Sequence, residues 1–201
     1  MPRIEGQTLA EHRSLVQGRI LDAFGAEMTV SGFAGLTLAK VAERAGIARN
    51  TVYNYAADKN ELMLLYVERS VDEFVTEVGR EVEELPSARD RMEMLVRAQL
   101  ASFAVEPGAG SVAGMLEGGS LPAEVFDALM GRLSRLHGMV RQTLEYGIAR
   151  GEFRDSGDLQ ATVEMVGAVI GSQRMPIGEG RRTVDEATAQ VWPFILQAIT
   201  A

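Results

Sequence analysis

Apolar side chains recur along this chain every three or four residues, in blocks broken by glycine or proline, and that rhythm predicts helices throughout. Val16, Ile20, Ala23, Phe24 and the pair Glu27–Met28 form the first stripe. They place a helix over residues 12–30, stopped at Gly32, after a loose arm of residues 1–11. Leu38, Val41, Ala42 and Ala45 fall at i, i+3, i+4 and i+7, so they share one face of a second, short helix. From Asp58 to about Leu85 runs a long helix carrying Leu62, Leu65, Tyr66, Phe74 and Val78, and Pro86 ends it. Met92, Leu95, Val96, Leu100 and Phe103 mark a helix over 88–105, and Val125 through Ile148 mark a longer amphipathic one over 123–150. Two more cover 158–174 and 183–199, with Met175–Gly180 as a loop between them. The glycine-rich stretch 106–122 reads as a flexible connection with room for a short helix at 112–116. No sustained period of two appears, so the fold class is all-α.

Residues 37–62 stand out from this background. Thr37 is placed to cap the short helix, and Gly46 to supply the left-handed residue that closes it. Ile47 and Val52 then return to the core. Around them Arg49, Asn50, Thr51, Tyr53, Asn54 and Tyr55 carry hydrogen-bonding side chains with no apolar pattern. Two short helices about a tight turn, the second anchored by few apolar residues and crowded with donors and acceptors, make a helix-turn-helix that enters the DNA major groove. The bland alternative is a solvated helix face.

The same stretch resembles the DNA-binding domain of the TetR family of transcriptional repressors. The match runs through Thr37, Val41-Ala42, Ala45-Gly46-Ile47, Thr51-Val52-Tyr53, Lys59 and Leu62, with Ile20–Phe24 and Gly32-Phe33 upstream, and covers about residues 13–66. One position departs: the family has a large aromatic after the residue matching Tyr55, and Ala56 stands here. The resemblance implies an N-terminal three-helix helix-turn-helix DNA-binding domain over 1–66 and a helical ligand-binding and dimerisation domain over 67–201. It assigns DNA contact to Thr37, Arg49, Asn50, Thr51, Tyr53, Asn54, Tyr55 and Lys59. Arg49 suits a bidentate guanine contact and the asparagines suit adenine. Thr51 and Tyr53 suit phosphate, as do Thr37 and Lys59, which sit at helix starts.

Composition modifies this picture in three places. Net charge is −8, which at first opposes a DNA partner. Residues 1–66, however, hold seven basic and seven acidic residues, while 67–201 hold thirteen and twenty-one, so the acidity lies outside the reader. Phosphate contact needs local rather than global positive charge. Second, there are no cysteines, which excludes disulfides and thiolate metal sites and is compatible with a cytoplasmic location. Neither an apolar run long enough to span a bilayer nor a secretory leader is read, so no membrane partner is expected. Third, ten methionines is a high count. Flexible thioethers suit a pocket for apolar ligands, and Phe103, Met115, Phe126, Met130, His137 and Met165 are its candidate lining, each also readable as ordinary core or surface.

Small residues interleave the apolar positions of the last two helices. Val163, Val166, Gly167 and Ile170 form one strip, and Val191, Phe194 and Ile195 lie on another. Pattern alone leaves internal core and helix–helix interface open; the resemblance implies a homodimer through these helices. A two-fold pair of readers suits a palindromic DNA operator. Enzyme chemistry is not expected. Gly108–Ala113 fits a dinucleotide fingerprint but lacks a βαβ unit, and His12 and His137 have no metal-ligand spacing, so neither cofactor nor metal is expected. The reading is a homodimeric repressor released by a small, largely apolar effector. Its rivals are an effector-independent repressor and a helical adaptor or enzyme that carries a helix-turn-helix-like pair.

Overall fold

Thr8 opens the first helix by a reciprocal cap: its hydroxyl accepts the Glu11 N–H, and the Glu11 carboxylate accepts the Thr8 N–H at 3.0 Å. Helix α1 therefore spans Leu9–Gly35 and begins three residues before the 12–30 stripe, because polar capping residues carry no apolar signal. Gly32 does break it, with φ 60° and ψ 172°, yet one further turn follows to Gly35. The computed structural model describes residues 8–105 and 122–200, so the arm at 1–7 and the connection at 106–121, including Met115, lie outside the described residues. The other helices are α2 (Leu38–Ala45), α3 (Arg49–Tyr53), α4 (Lys59–Glu84), α5 (Ala88–Val105), α6 (Ala123–Ala149), α7 (Leu159–Gly171), α8 (Arg174–Gly178) and α9 (Val184–Ile199). Helix α8 corrects the expected loop 175–180; five residues are too few to show a stripe. Among the described residues there is no strand, and the fold is all-α.

The chain forms two compact units, Met1–Glu68 and Arg69–Ala201. In the first, α1 packs on α2 and α2 on α3, burying Ile20, Phe24, Leu36, Val41, Val52, Leu62 and Met63. Tyr66 lies against Phe24, with ring centroids 5.3 Å apart, and covers Gly25. A Cβ on Gly25 would stand 2.9 Å from Tyr66 Cε2, so a larger residue there would require the ring to shift.

In the second unit α5 is the hub, packed against α6, α7, α8 and α9. Its buried face, Ala88, Met92, Leu95, Val96, Leu100 and Phe103, meets Met139, Val140 and Leu144 of α6, Val163, Val166 and Ile170 of α7, and Ala187, Val191, Trp192 and Ile195 of α9. The turn after α6 holds this bundle at one end. Phe153 lies over Gly147, where a Cβ would come within 2.1 Å of Phe153 Cδ2. Glu152 Oε2 accepts the N–H groups of Ala88 and Arg89 at 2.7 and 3.4 Å, which caps α5 from outside. The Arg150 guanidinium, bonded to Glu152 Oε1, lowers the Glu152 carboxyl below its ordinary value, and the Ala88 N–H adds to this. Among the described residues no helix is long and apolar enough to cross a membrane.

Candidate nucleic-acid interface

The turn between α2 and α3 follows from one glycine. Gly46 adopts φ 65° and ψ 36°, left-handed values that cost a side-chain-bearing residue energy. Its N–H and that of Ile47 return to the carbonyls of Glu43 and Ala42 at 3.1 Å, closing α2 in a Schellman turn. Arg19 of α1 donates to the Ala45 carbonyl at 2.8 Å, and the Thr37 hydroxyl caps the other end by accepting the Lys40 N–H at 3.3 Å.

Helix α3 has five residues and no side-chain N-cap. So short a helix has no stability of its own. Val52, 0% exposed, is its buried residue. Arg49, Asn50, Tyr53 and Asn54 face solvent, Thr51 and Ile47 are half-buried, and Ala56 is buried. The Arg49 Nη2 donates to the Tyr53 hydroxyl at 3.0 Å, with its guanidinium 5.6 Å from the Tyr53 ring centre. Tyr55 turns back instead. It is half-buried, its hydroxyl donates to the Arg13 carbonyl at 3.3 Å, and the Arg13 guanidinium lies 5.8 Å from its ring centre. Lys59, the first residue of α4, donates to the Phe33 carbonyl at 3.0 Å and sits 4.5 Å over the Phe33 ring. Thr37, Arg49, Tyr53 and Lys59 come together as walls of one open groove of ≈390 Å³, with Ala34, Leu36, Ala57 and Asp58 among its other lining residues. Asn50, Thr51, Asn54 and Tyr55 lie outside that groove.

Beneath the reader lies a carboxylate whose role the sequence reading missed. Glu27 occupies a place in the apolar stripe of α1 and is buried. Its Oε2 accepts both Arg44 Nε and Nη2, at 3.1 and 2.9 Å, while Oε1 accepts the Ser31 hydroxyl at 2.6 Å. Lys40 Nζ stands 3.8 Å away and donates to the Gly35 carbonyl at 2.9 Å. The Ser31 hydrogen bond and then Arg44 hold this carboxyl below its ordinary value, against the opposing effect of burial. α2 is thereby fastened to α1 through charge, and two of the four cations of segment 37–59 are spent internally. An acid inside an apolar stripe was the signal available in the sequence.

The C-terminal candidates separate by face. Val163, Val166, Ile170, Val191 and Ile195 are buried inside the chain itself. This corrects their assignment to a surface between subunits: the stripes are real but point inward. Gly167 faces the imidazole of His137, whose Nε2 would be 2.7 Å from an added Cβ. Phe194 is 61% exposed, as is Met165, on the opposite sides of the same helices. Met165 and His137 thus face out, Phe126 is exposed, Met130 is half-buried, and Phe103 is core with the Arg174 guanidinium 4.8 Å from its ring centre. None of them lines the cavity of ≈180 Å³ in this unit, whose walls are Val75, Gly79, Val82, Glu83, Arg91, Met139, Gln142 and Thr143. The described candidates therefore do not meet around this cavity, because periodicity places a residue on a helix but does not say which face is hollow.

Residues 20–65 match the family model described as bacterial regulatory proteins, tetR family. The chain is similar to the fatty acid metabolism regulator protein of Bacillus subtilis (strain 168), 21% identical over 158 residues that cover 76% of this chain and 78% of that one. Among solved structures, a TetR transcription regulator from Haloarcula marismortui superposes with a TM-score of 0.78 at 19% identity, covering 94% of this chain and 100% of that one. The transcriptional regulator FadR from Bacillus subtilis, solved with stearoyl-CoA, superposes with a TM-score of 0.73 at 17% identity, covering 90% and 95%. At these identities the superpositions establish the fold.

Proposed function

We propose, from the premise that this chain carries the N-terminal domain of the TetR family of transcriptional regulators, that it is a homodimeric repressor of a palindromic operator. The observation that carries the reading is α3: one buried valine below, and Arg49, Asn50, Tyr53 and Asn54 presented to solvent above. Arg49 reads guanine, Asn50 and Asn54 read adenine, and Thr37 and Thr51 serve phosphate. Tyr55 and Lys59 hold the reader against α1 and contribute to DNA only at its edge. The subunits meet through the exposed sides of α7 and α9, around Met165 and Phe194.

The effector is a molecule with an apolar chain. Similarity to the Bacillus subtilis regulator solved with stearoyl-CoA supports this class. A cavity of ≈180 Å³ is smaller than the roughly 300–1,000 Å³ of common ligand sites, so entry requires the core beside Met139 to open. Release then follows from linkage: a ligand that favours the opened core lowers operator affinity by its preference for that state. A coupling of ~3 kcal/mol, the upper end of the common range, is about a hundredfold. Helix α4, which contributes residues to both units, carries the change. The small cavity also favours a second reading, a repressor that needs no effector.

Selection of bound fragments from random duplexes gives the operator. Fluorescence anisotropy on that operator then tests the reading: Arg49→Ala with Tyr53→Ala abolishes sequence-specific binding, and acyl-CoA thioesters release the wild-type protein. Binding that survives the double substitution refutes the first reading. Binding that no apolar compound reverses selects the second.

A further inference from the structure

We infer that Tyr53 is a positioning residue for Arg49 rather than a phosphate contact, and so sets base discrimination at one position of each half-site. The inference rests on the DNA-reading role of α3 proposed above. Arg49 and Tyr53 are one helical turn apart, both exposed, and joined on the open side of the reader by the 3.0 Å hydrogen bond from Nη2 to the phenol oxygen. The ring beneath, 5.6 Å from the guanidinium carbon, holds the same group by its quadrupole.

This geometry leaves the fork usable. A guanidinium has five N–H donors, and one is spent on Tyr53, so a complete pair remains for the O6 and N7 acceptors of a guanine. The long side chain is orientated before DNA arrives, which removes part of the ordering cost of a bidentate contact. The tether also narrows the directions in which the fork can point. A narrowed fork penalises a wrong base more than a free one does, because the guanidinium cannot swing to another acceptor. The phenol oxygen, already accepting from Arg49, keeps its own O–H for water or a neighbouring acceptor.

The experiment measures affinity for every single-base variant of the selected operator and for random duplex, with wild type, Tyr53→Phe, Tyr53→Ala and Arg49→Lys. Tyr53→Phe removes one oxygen and leaves the ring. A single hydrogen bond of ordinary net strength predicts about a two- to tenfold loss of discrimination. That loss is confined to the base pair whose preference Arg49→Lys also removes, with random-duplex affinity unchanged. Tyr53→Ala, which also loses the ring, loses more at the same base pair. Circular dichroism and melting confirm that each variant is folded; Tyr53 is exposed, so little change is expected. A loss spread evenly over all sequences overturns the inference and makes Tyr53 a phosphate contact. Unchanged or sharper discrimination overturns it as well. Both leave the DNA-reading role standing, whereas a wild-type protein that binds no duplex removes that role and the inference together.

Discussion

Replacing Val52 by alanine tests how the reader is held. Val52 is 0% exposed and is the buried residue of a five-residue helix without a side-chain N-cap. The substitution deletes two methyl-sized groups, worth about 0.8 kcal/mol each in transfer, and leaves a cavity that adds to the cost; about 2 kcal/mol is expected. For a domain of 60–100 residues each kcal/mol shifts Tm by roughly 4–8 °C, so the N-terminal unit should melt about 10 °C lower. Operator affinity follows differently. The apparent Kd rises only by the inverse of the fraction of molecules with α3 docked. If docking is worth more than the ~2 kcal/mol removed, binding hardly changes; if it is worth less, affinity falls by up to about thirtyfold. Differential scanning calorimetry resolves the first quantity, anisotropy the second, and hydrogen exchange at residues 49–55 separates local from global loosening. An N-terminal transition that stays within 1–2 °C of wild type, about the effect of a surface substitution, refutes the claim that this valine anchors the reader.

The remaining predictions concern other joints of the fold. The Glu27 carboxyl is held below its ordinary value of 4.5, so its contribution is complete above that pH and is lost as pH falls through the lowered value. Glu27→Gln should therefore lower the melting temperature of the N-terminal unit at pH 7 and make its decline below about pH 4.5 shallower, as read by circular dichroism. On the proposed dimeric reading, Phe194→Asp with Met165→Asp should give a monomer in sedimentation velocity where the wild type is a dimer, with the fold intact, since both side chains are exposed; a dimer that persists in the variant would place the subunit contact elsewhere. Gly147→Ala drives a Cβ to 2.1 Å from Phe153 Cδ2 and should destabilise the C-terminal unit by about 1–3 kcal/mol. Gly167→Ala meets only the tip of an exposed histidine; that ring can swing away, and chemical denaturation should show a change within about 1 kcal/mol.

Helix positions were legible because the chain repeats its apolar residues with a helical period over long spans: α5 lies at 88–105 as read, and α4 and α6 within a residue or two. Gly46 and Thr37 perform the capping tasks their chemistry suggests. What stayed hidden depends on three-dimensional choices. The stripe Val163, Val166, Ile170 looks the same whether it meets its own chain or a second one, and only packing on α5 and α9 decides for the interior. Phe126, His137 and Met165 are of pocket-lining type, yet each is exposed, since a one-dimensional pattern contains no information about hollows. Glu27 was visible as an anomaly, but its partners Ser31, Lys40 and Arg44 lie on two helices. The aromatic missing at Ala56 has its counterpart in Tyr55, which turns toward Arg13.

The clamp at Glu27 also bears on how such a protein searches a genome. Neutralised phosphates set the strength and salt dependence of binding to arbitrary sequence. Lys40 and Arg44 beside the turn are already partnered by a buried carboxylate. In the DNA-reading role proposed above, that would make affinity for arbitrary sequence weak and its dependence on salt shallow.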